Sequence, residues 1–460
     1  MIRRPSAAAW ALLFAVIAGA GLRLWTLGFF EFKEEQLGNL LAGLAMPGRH
    51  FLVNHGIAST VGVPNGPGLF QIMGVLALAG ARTPFAFAAC GAAASIAGCV
   101  LFYLFLKRRD AACAVPGAWL LAASPAAILL AANIWPHSYL GLLAAAILWL
   151  AASRGAVSWC AAWLLAVWAG TVHLSAFFLL PGLAVIGWRR DLTRRAWAAA
   201  AAGTFVLLAP WLWFLCFRWE REAGAAEPGR GLIGWLWEWA NCFGGGWLAE
   251  YAASPVGPLR WLFGTAGGWV LIALAAAPPW IGVGRTLAAL KRREAVPAWV
   301  ETALILSLSV AAGYAVLGVR LYFFYFVVLL PMLAALAAFG WSRFRSAWLR
   351  RGLPLVWSTA ALLLTVTALA WFWYHGGDPR EYGPHIGFWN DCCRELEAER
   401  AVAPLRLEVT AEGPVGDKLS PLVAEYFLAP YDDPAGRPCR LTIGYDPVRR
   451  CYHHRFVFAE

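Results

Sequence analysis

From position 7 to about 375, long apolar runs alternate with short polar breaks, and the runs are of the length that predicts membrane-crossing helices rather than strands. They fall at about residues 7–29, 84–106, 112–133, 138–153, 157–172, 174–188, 196–217, 260–283, 298–318, 321–340 and 354–374. The first is too long for a signal-peptide core and lacks a small-residue cleavage site, so it is expected to stay as a span. A shorter run, 66–81, opens with Gly-Pro-Gly and carries Gln71; it is predicted to be an interfacial helix. About eleven spans result. Three segments between them differ: a polar first loop (30–83), a Trp-rich loop (218–259) in which GLIGWLWEWANCF suits a helix lying among headgroups, and a tail beyond His375.

In the tail the apolar residues scatter and strand-like pieces appear: LRLEVTA, CRLTIGY and RFVFAE. Its 85 or so residues are enough for a small α/β domain. The predicted fold is therefore an all-α polytopic membrane module over 1–375 and an α/β extracytoplasmic domain over 376–460. An oxidising outer compartment would permit one or two disulfides among four tail cysteines, Cys392, Cys393, Cys439 and Cys451, in a pairing that the spacing does not fix. A zinc site with His453 and His454 has no CxxC spacing behind it.

Composition agrees with a membrane protein: 61% of residues are hydrophobic, 14% charged, and the mean hydropathy is +0.61. In a soluble protein the net charge of +11 would suggest nucleic acid. Here the cations sit in clusters at span ends, among them Lys107 to Arg109, Arg189/Arg190, Lys291 to Arg293 and Arg343/Arg345. With 66–81 not crossing, all the clusters fall on one side, which the positive-inside rule makes cytoplasmic. The eight histidines then lie at or beyond the outer face, and a site at that face is expected.

The first loop holds adjacent carboxylates, Glu34 and Glu35, ahead of a helical stripe, Leu37, Leu40, Leu41 and Leu44. Glu34 continues the stripe and is expected to face the protein, with Glu35 about 100° round. Acidic residues also favour the first turn of any helix. Other polar candidates at the outer side are His55 and Asn65 in the same loop, His137 and His173 at span ends, and Arg320 and Tyr322 at the start of span ten. Each has an ordinary alternative: capping for a histidine, snorkelling for Arg320.

The order of a first span, FKEEQ, an amphipathic helix, the turn GIASTVGVPNGPGLF and a re-entrant helix resembles the GT-C superfamily. These are polyprenyl-phosphate-sugar-dependent glycosyltransferases, including the family 39 protein O-mannosyltransferases and lipid A aminoarabinose transferases. SPAAILLAANIWPHSY, TVHLSAFFLLP and RLYFFYFVVLLP add to the resemblance, which covers about 7–375. It implies a GT-C fold in a bacterial inner membrane and sugar transfer to a hydroxyl of a protein, lipid or glycan. In that reaction Glu34, with Glu35 beside it, acts as general base and Arg320 holds the donor phosphate. The family usually carries Asp-Glu where this chain has Glu34-Glu35. Some members have a further acid in the second outer loop, where this chain has WPHSY, so neither a cofactor nor a divalent metal is implied. A transporter or flippase of a lipid-linked substrate is the alternative class; such proteins show internal repeats and mid-membrane ionisable residues, and no repeat is visible. A non-catalytic scaffold would leave the carboxylates of the first loop unexplained.

Overall fold

The computed structural model describes residues 17–30, 32, 34–50, 53–57, 59, 63–218, 239, 266–317, 323–375, 377–378, 383–401, 404–412, 421–446 and 451–458. A first helix, α1 (17–25), leads into the first loop. There α2 (Glu34–Ala45) and α3 (Gly68–Leu78) pack on each other. At about 1.5 Å per residue the 11 residues of α3 fall well short of a bilayer. The membrane-type helices follow: α4 (Pro84–Arg109), α5 (Ala111–Ala122), α6 (Pro125–Leu129), α7 (His137–Ala152), α8 (Ala156–Val172), α9 (Leu179–Arg189), α10 (Arg194–Phe217), α11 (Ala266–Lys291), α12 (Ala298–Leu317), α13 (Leu330–Ser342) and α14 (Ala347–His375). Among the described residues, five segments are long and apolar enough to cross a membrane: Pro84–Arg109, Arg194–Phe217, Val270–Lys291, Ala298–Val316 and Ala347–Ala370. The others are shorter apolar helices, and the chain is a multi-pass membrane protein.

Three predicted continuous spans are in fact broken. The run 112–133 divides into α5 and α6 at Ser124 and Pro125. Proline has no N–H to continue a helix and pushes the residue before it into extended backbone; Ser124 has ψ 121° and its hydroxyl caps α6 by accepting from the Ala127 amide at 3.4 Å. Leu174–Phe178 is a 3-10 turn ahead of α9, and Phe323–Val328 is another ahead of α13. These irregular ends meet: α6 and α7 both pack against Phe323–Val328, which also touches Leu174–Phe178. Elsewhere the bundle is tight. A Cβ added to Gly340 would lie 1.8 Å from the Gly282 carbonyl oxygen, so α11 and α13 cross backbone to backbone.

Inside the first helix, Arg23 is 1% exposed. Its guanidinium donates to the carbonyls of Leu121 (3.0 Å), Ala122 (2.8 Å) and Gly19 (2.9 Å) and to the Ser95 hydroxyl (2.9 Å). Leu121 and Ala122 close α5, whose last carbonyls have no helical partner because the chain breaks at Pro125. One cation thus caps the helix end that the proline exposes, at the negative end of its dipole.

The tail is α/β as predicted. After the short pair β1 (Gly377–Asp378) and β2 (Gly383–Pro384) come α15 (Ile386–Arg400), β3 (Leu405–Glu412), α16 (Pro421–Leu428), β4 (Arg437–Asp446) and β5 (Cys451–Phe458). The sheet order is β3-β4-β5, parallel then antiparallel. The parallel pair needs a crossover, and the segment holding α16 supplies it. One face carries Leu405, Cys439, Leu441 and Ile443, all buried; Arg406, Glu408 and Arg440 line the other. The disulfide expectation is corrected for three cysteines: Cys392, Cys393 and Cys439 are thiols. Cys392 and Cys439 are buried packing residues, and burial pushes the Cys393 thiol up to about 11. The helix expected in GLIGWLWEWANCF lies outside the described residues except Trp239, whose ring meets those of Phe326 and Trp280.

Candidate active site

The first-loop helix α2 begins at the acid pair, and both Glu34 and Glu35 are exposed. This corrects the expectation that Glu34 faces the protein. The buried stripe is Gln36, Leu37, Asn39, Leu40 and Gly43, while Leu41 is 49% exposed. At about 100° per residue this stripe is centred roughly opposite both carboxylates. The misreading came from counting leucines alone: two buried amides turn the helix further than its apolar residues suggest. Carboxylates left on the open face in the first turn are well placed for the helix dipole and free of desolvation.

The buried amides tie α2 to the broken helices. Asn39 Nδ2 donates to the Ile134 carbonyl at 2.9 Å, in the turn that leads to His137. His137 starts α7, is 5% exposed, and lies 4.6 Å from His173, ring centroid to ring centroid. His173 is 5.6 Å from the Tyr325 ring. Its Nδ1 accepts from the Ser175 amide at 3.3 Å and is 2.8 Å from the Ser175 hydroxyl, so it caps the 3-10 turn. A ring nitrogen that accepts an amide carries no proton, which puts the proton of the neutral ring on Nε2.

Asn65 joins the same group from the first loop. It is 4% exposed; its Oδ1 accepts from the Leu174 amide at 3.3 Å, and its backbone pairs with Ile57 and Gly56. Close by, Gly66 and Gly68 sit so near Thr171 and Val172 that a Cβ at either would come within 2.8 Å of them. That approach explains the Gly/Pro-rich sequence of the turn. His55 stacks on Phe214 of α10 at 4.1 Å and 8°, its Nδ1 is 2.9 Å from Asn54 Oδ1, and burial lowers its pKa below the usual imidazole value.

The structure therefore brings together Asn65, His137 and His173 with Tyr325, and sets His55 on the neighbouring helix. Arg320 and Tyr322 lie outside the described residues. The sequence reading passed over Gln36, Asn39 and Arg23. The first two were legible as polar residues at helical spacing within the leucine stripe, and Arg23 as a cation inside an apolar span. Arg23 and His137 border one cavity of about 20 Å³, room for about one water, with Ser95, Cys99 and Ser138 also in its wall.

Helices broken at one end of a membrane bundle, polar side chains gathered at the breaks, an acidic helix in the first loop and a small α/β tail make up a fold similar to that of ArnT. The solved structures it is similar to include ArnT from Cupriavidus metallidurans bound to undecaprenyl phosphate. That match has a TM-score of 0.54 and 13% identity, and covers 96% of this chain and 94% of that one. The apo state of the same protein matches at 0.53 and 12%, over 96% and 94%. The Archaeoglobus fulgidus oligosaccharyltransferase, solved with Zn and sulfate, matches at 0.49 and 16%, over 84% of this chain and 55% of that one. No family model matches the chain, and no curated protein does. At such identities the likeness is one of fold.

Proposed function

We propose that this protein is a glycosyltransferase that moves a sugar from a polyprenyl-phosphate-linked donor to a hydroxyl on a protein, lipid or glycan, at the outer face of a bacterial inner membrane. The observation that carries the reading is the ArnT likeness over 96% of the chain, in a structure that holds undecaprenyl phosphate. The exposed acid pair at the start of α2 supports it.

In this reaction Glu34 takes the proton of the acceptor hydroxyl as its oxygen attacks the anomeric carbon. The bond from that carbon to the phosphate oxygen breaks, and the lipid phosphate leaves with the electron pair. Glu35 is the second carboxylate of the pair. Arg320 meets the departing phosphate, since a planar guanidinium matches it with two parallel donors. Tyr322, His55 and His137 line the substrate site, and Asn65 and His173 hold its wall through the bonds described above.

The test is transfer from a polyprenyl-phosphate sugar to an acceptor by the full chain in liposomes. Arg320→Lys keeps the charge and loses the fork, so donor affinity is expected to fall with folding intact. Normal donor binding and turnover by that variant would make Arg320 an anchor only. A wild-type protein that moves the intact lipid across the bilayer without cleaving it would replace the transferase reading with the flippase one.

A further inference from the structure

We propose that the C-terminal domain positions the acidic helix of the first loop through an aromatic contact on Phe32, making Phe427 a positioning residue for the reaction. The proposal rests on the reading of Glu34 as the base and goes beyond it, because it gives the tail a task in that chemistry.

The tail grips the segment just before Glu34 at both ends. On one side the Ile386 amide donates to the Phe30 carbonyl at 3.1 Å, and the His385 ring is 6.2 Å from that of Phe29. A Cβ on Gly387 would lie 2.8 Å from the Gly28 carbonyl oxygen, so the start of α15 runs directly against the loop backbone. On the other side Phe32, 1% exposed, meets Phe427 edge to face at 5.3 Å and Tyr426 at 6.1 Å. Both rings belong to α16, which also packs on α2. Phe427 is fixed in turn by stacking on Trp389 of α15, at 5.3 Å and 7°.

Phe32 is two residues from Glu34, and both carboxylates are exposed. The start of α2 is flanked by a buried ring ahead of it, Phe32, and by buried amides behind it, Gln36 and Asn39. On the Phe32 side the ring partners are Phe30 of the loop itself, at 6.3 Å, and Tyr426 and Phe427 of the tail, of which Phe427 is the nearest. A base must hold its position to a fraction of an ångström, and displacement by about 1 Å can cost on the order of 100-fold.

The experiment uses the full chain in detergent or liposomes. Phe427→Ala is expected to lower kcat by about 10- to 100-fold with KM for the lipid donor unchanged, while Phe427→Tyr, which keeps the ring, restores turnover. Amide hydrogen exchange over 34–45 should speed up in Phe427→Ala and stay unchanged over 137–172. In a Glu34→Gln background the same alanine should cost little more, because both changes remove one function. Losses that multiply in that background, or unchanged exchange over 34–45, would overturn the proposal. If Phe427→Ala does not fold, Phe32→Leu is tested by the same measurements. Normal turnover by Glu34→Gln would instead defeat the reading of Glu34, and the exchange data would still decide whether the tail holds α2.

Discussion

Glu34→Gln is expected to yield a folded protein that binds lipid donor and transfers sugar about 10²- to 10⁴-fold more slowly than wild type. The amide keeps the size of the carboxylate and part of its hydrogen bonding but has no basic oxygen to take the acceptor proton. Folding should survive because Glu34 is exposed and the buried side of α2 is made by Gln36, Leu37, Asn39, Leu40 and Gly43. The loss of one acidic charge from the first turn costs only about 0.3–1 kcal/mol. Glu35→Gln should be milder. The measurement is sugar transfer from a polyprenyl-phosphate donor, with thermal stability followed alongside. Near-normal turnover by Glu34→Gln would remove the base from the mechanism, and loss of folding would make the carboxylate architectural.

Arg23→Leu is expected to have the largest effect on stability, a loss of about 3 kcal/mol or more in detergent. The substitution keeps an apolar side chain of fair size, so packing is largely spared. It strands the carbonyls of Leu121 and Ala122 at the end of α5, and buried acceptors left without donors cost about 1–3 kcal/mol each. Arg23→Lys should recover part of the loss, because an ammonium reaches one or two of these oxygens but lacks the fork that spans them. Thermal unfolding of the purified protein checks both. An unchanged midpoint for Arg23→Leu would mean that the break at Pro125 satisfies its carbonyls in another way.

The helices were legible because each buries itself by local rules. Apolar length marked the membrane helices, and predicted and observed limits agree closely at 157–172 against Ala156–Val172 and at 298–318 against Ala298–Leu317. Alternation marked two of the tail strands, since LRLEVTA and CRLTIGY fall in β3 and β4. The Gly/Pro-rich turn and the acid pair were visible for the same reason, since backbone close approach and helix N-termini select residue types locally.

What the sequence could not decide were features made by partners far along the chain. Hydropathy reads Pro125 as a minor interruption, and only the arrival of Arg23, about 100 residues away, makes a helix end at that point tolerable inside the bundle. The direction in which α2 faces depended on Asn39 finding the Ile134 carbonyl, a bond that no count of leucines contains. Four cysteines in the tail look like a disulfide framework by composition, yet Cys392 and Cys439 are used as buried packing. The sequence by itself determined the membrane class, the limits of such helices as Ala156–Val172 and Ala298–Leu317, two of the tail strands and the loop that holds the carboxylates, because hydrophobic periodicity and turn chemistry act over a few residues. Tertiary structure alone decided which helices break, which polar groups meet at the breaks and that the tail grips Phe32, because those depend on contacts between segments that no local pattern brings together.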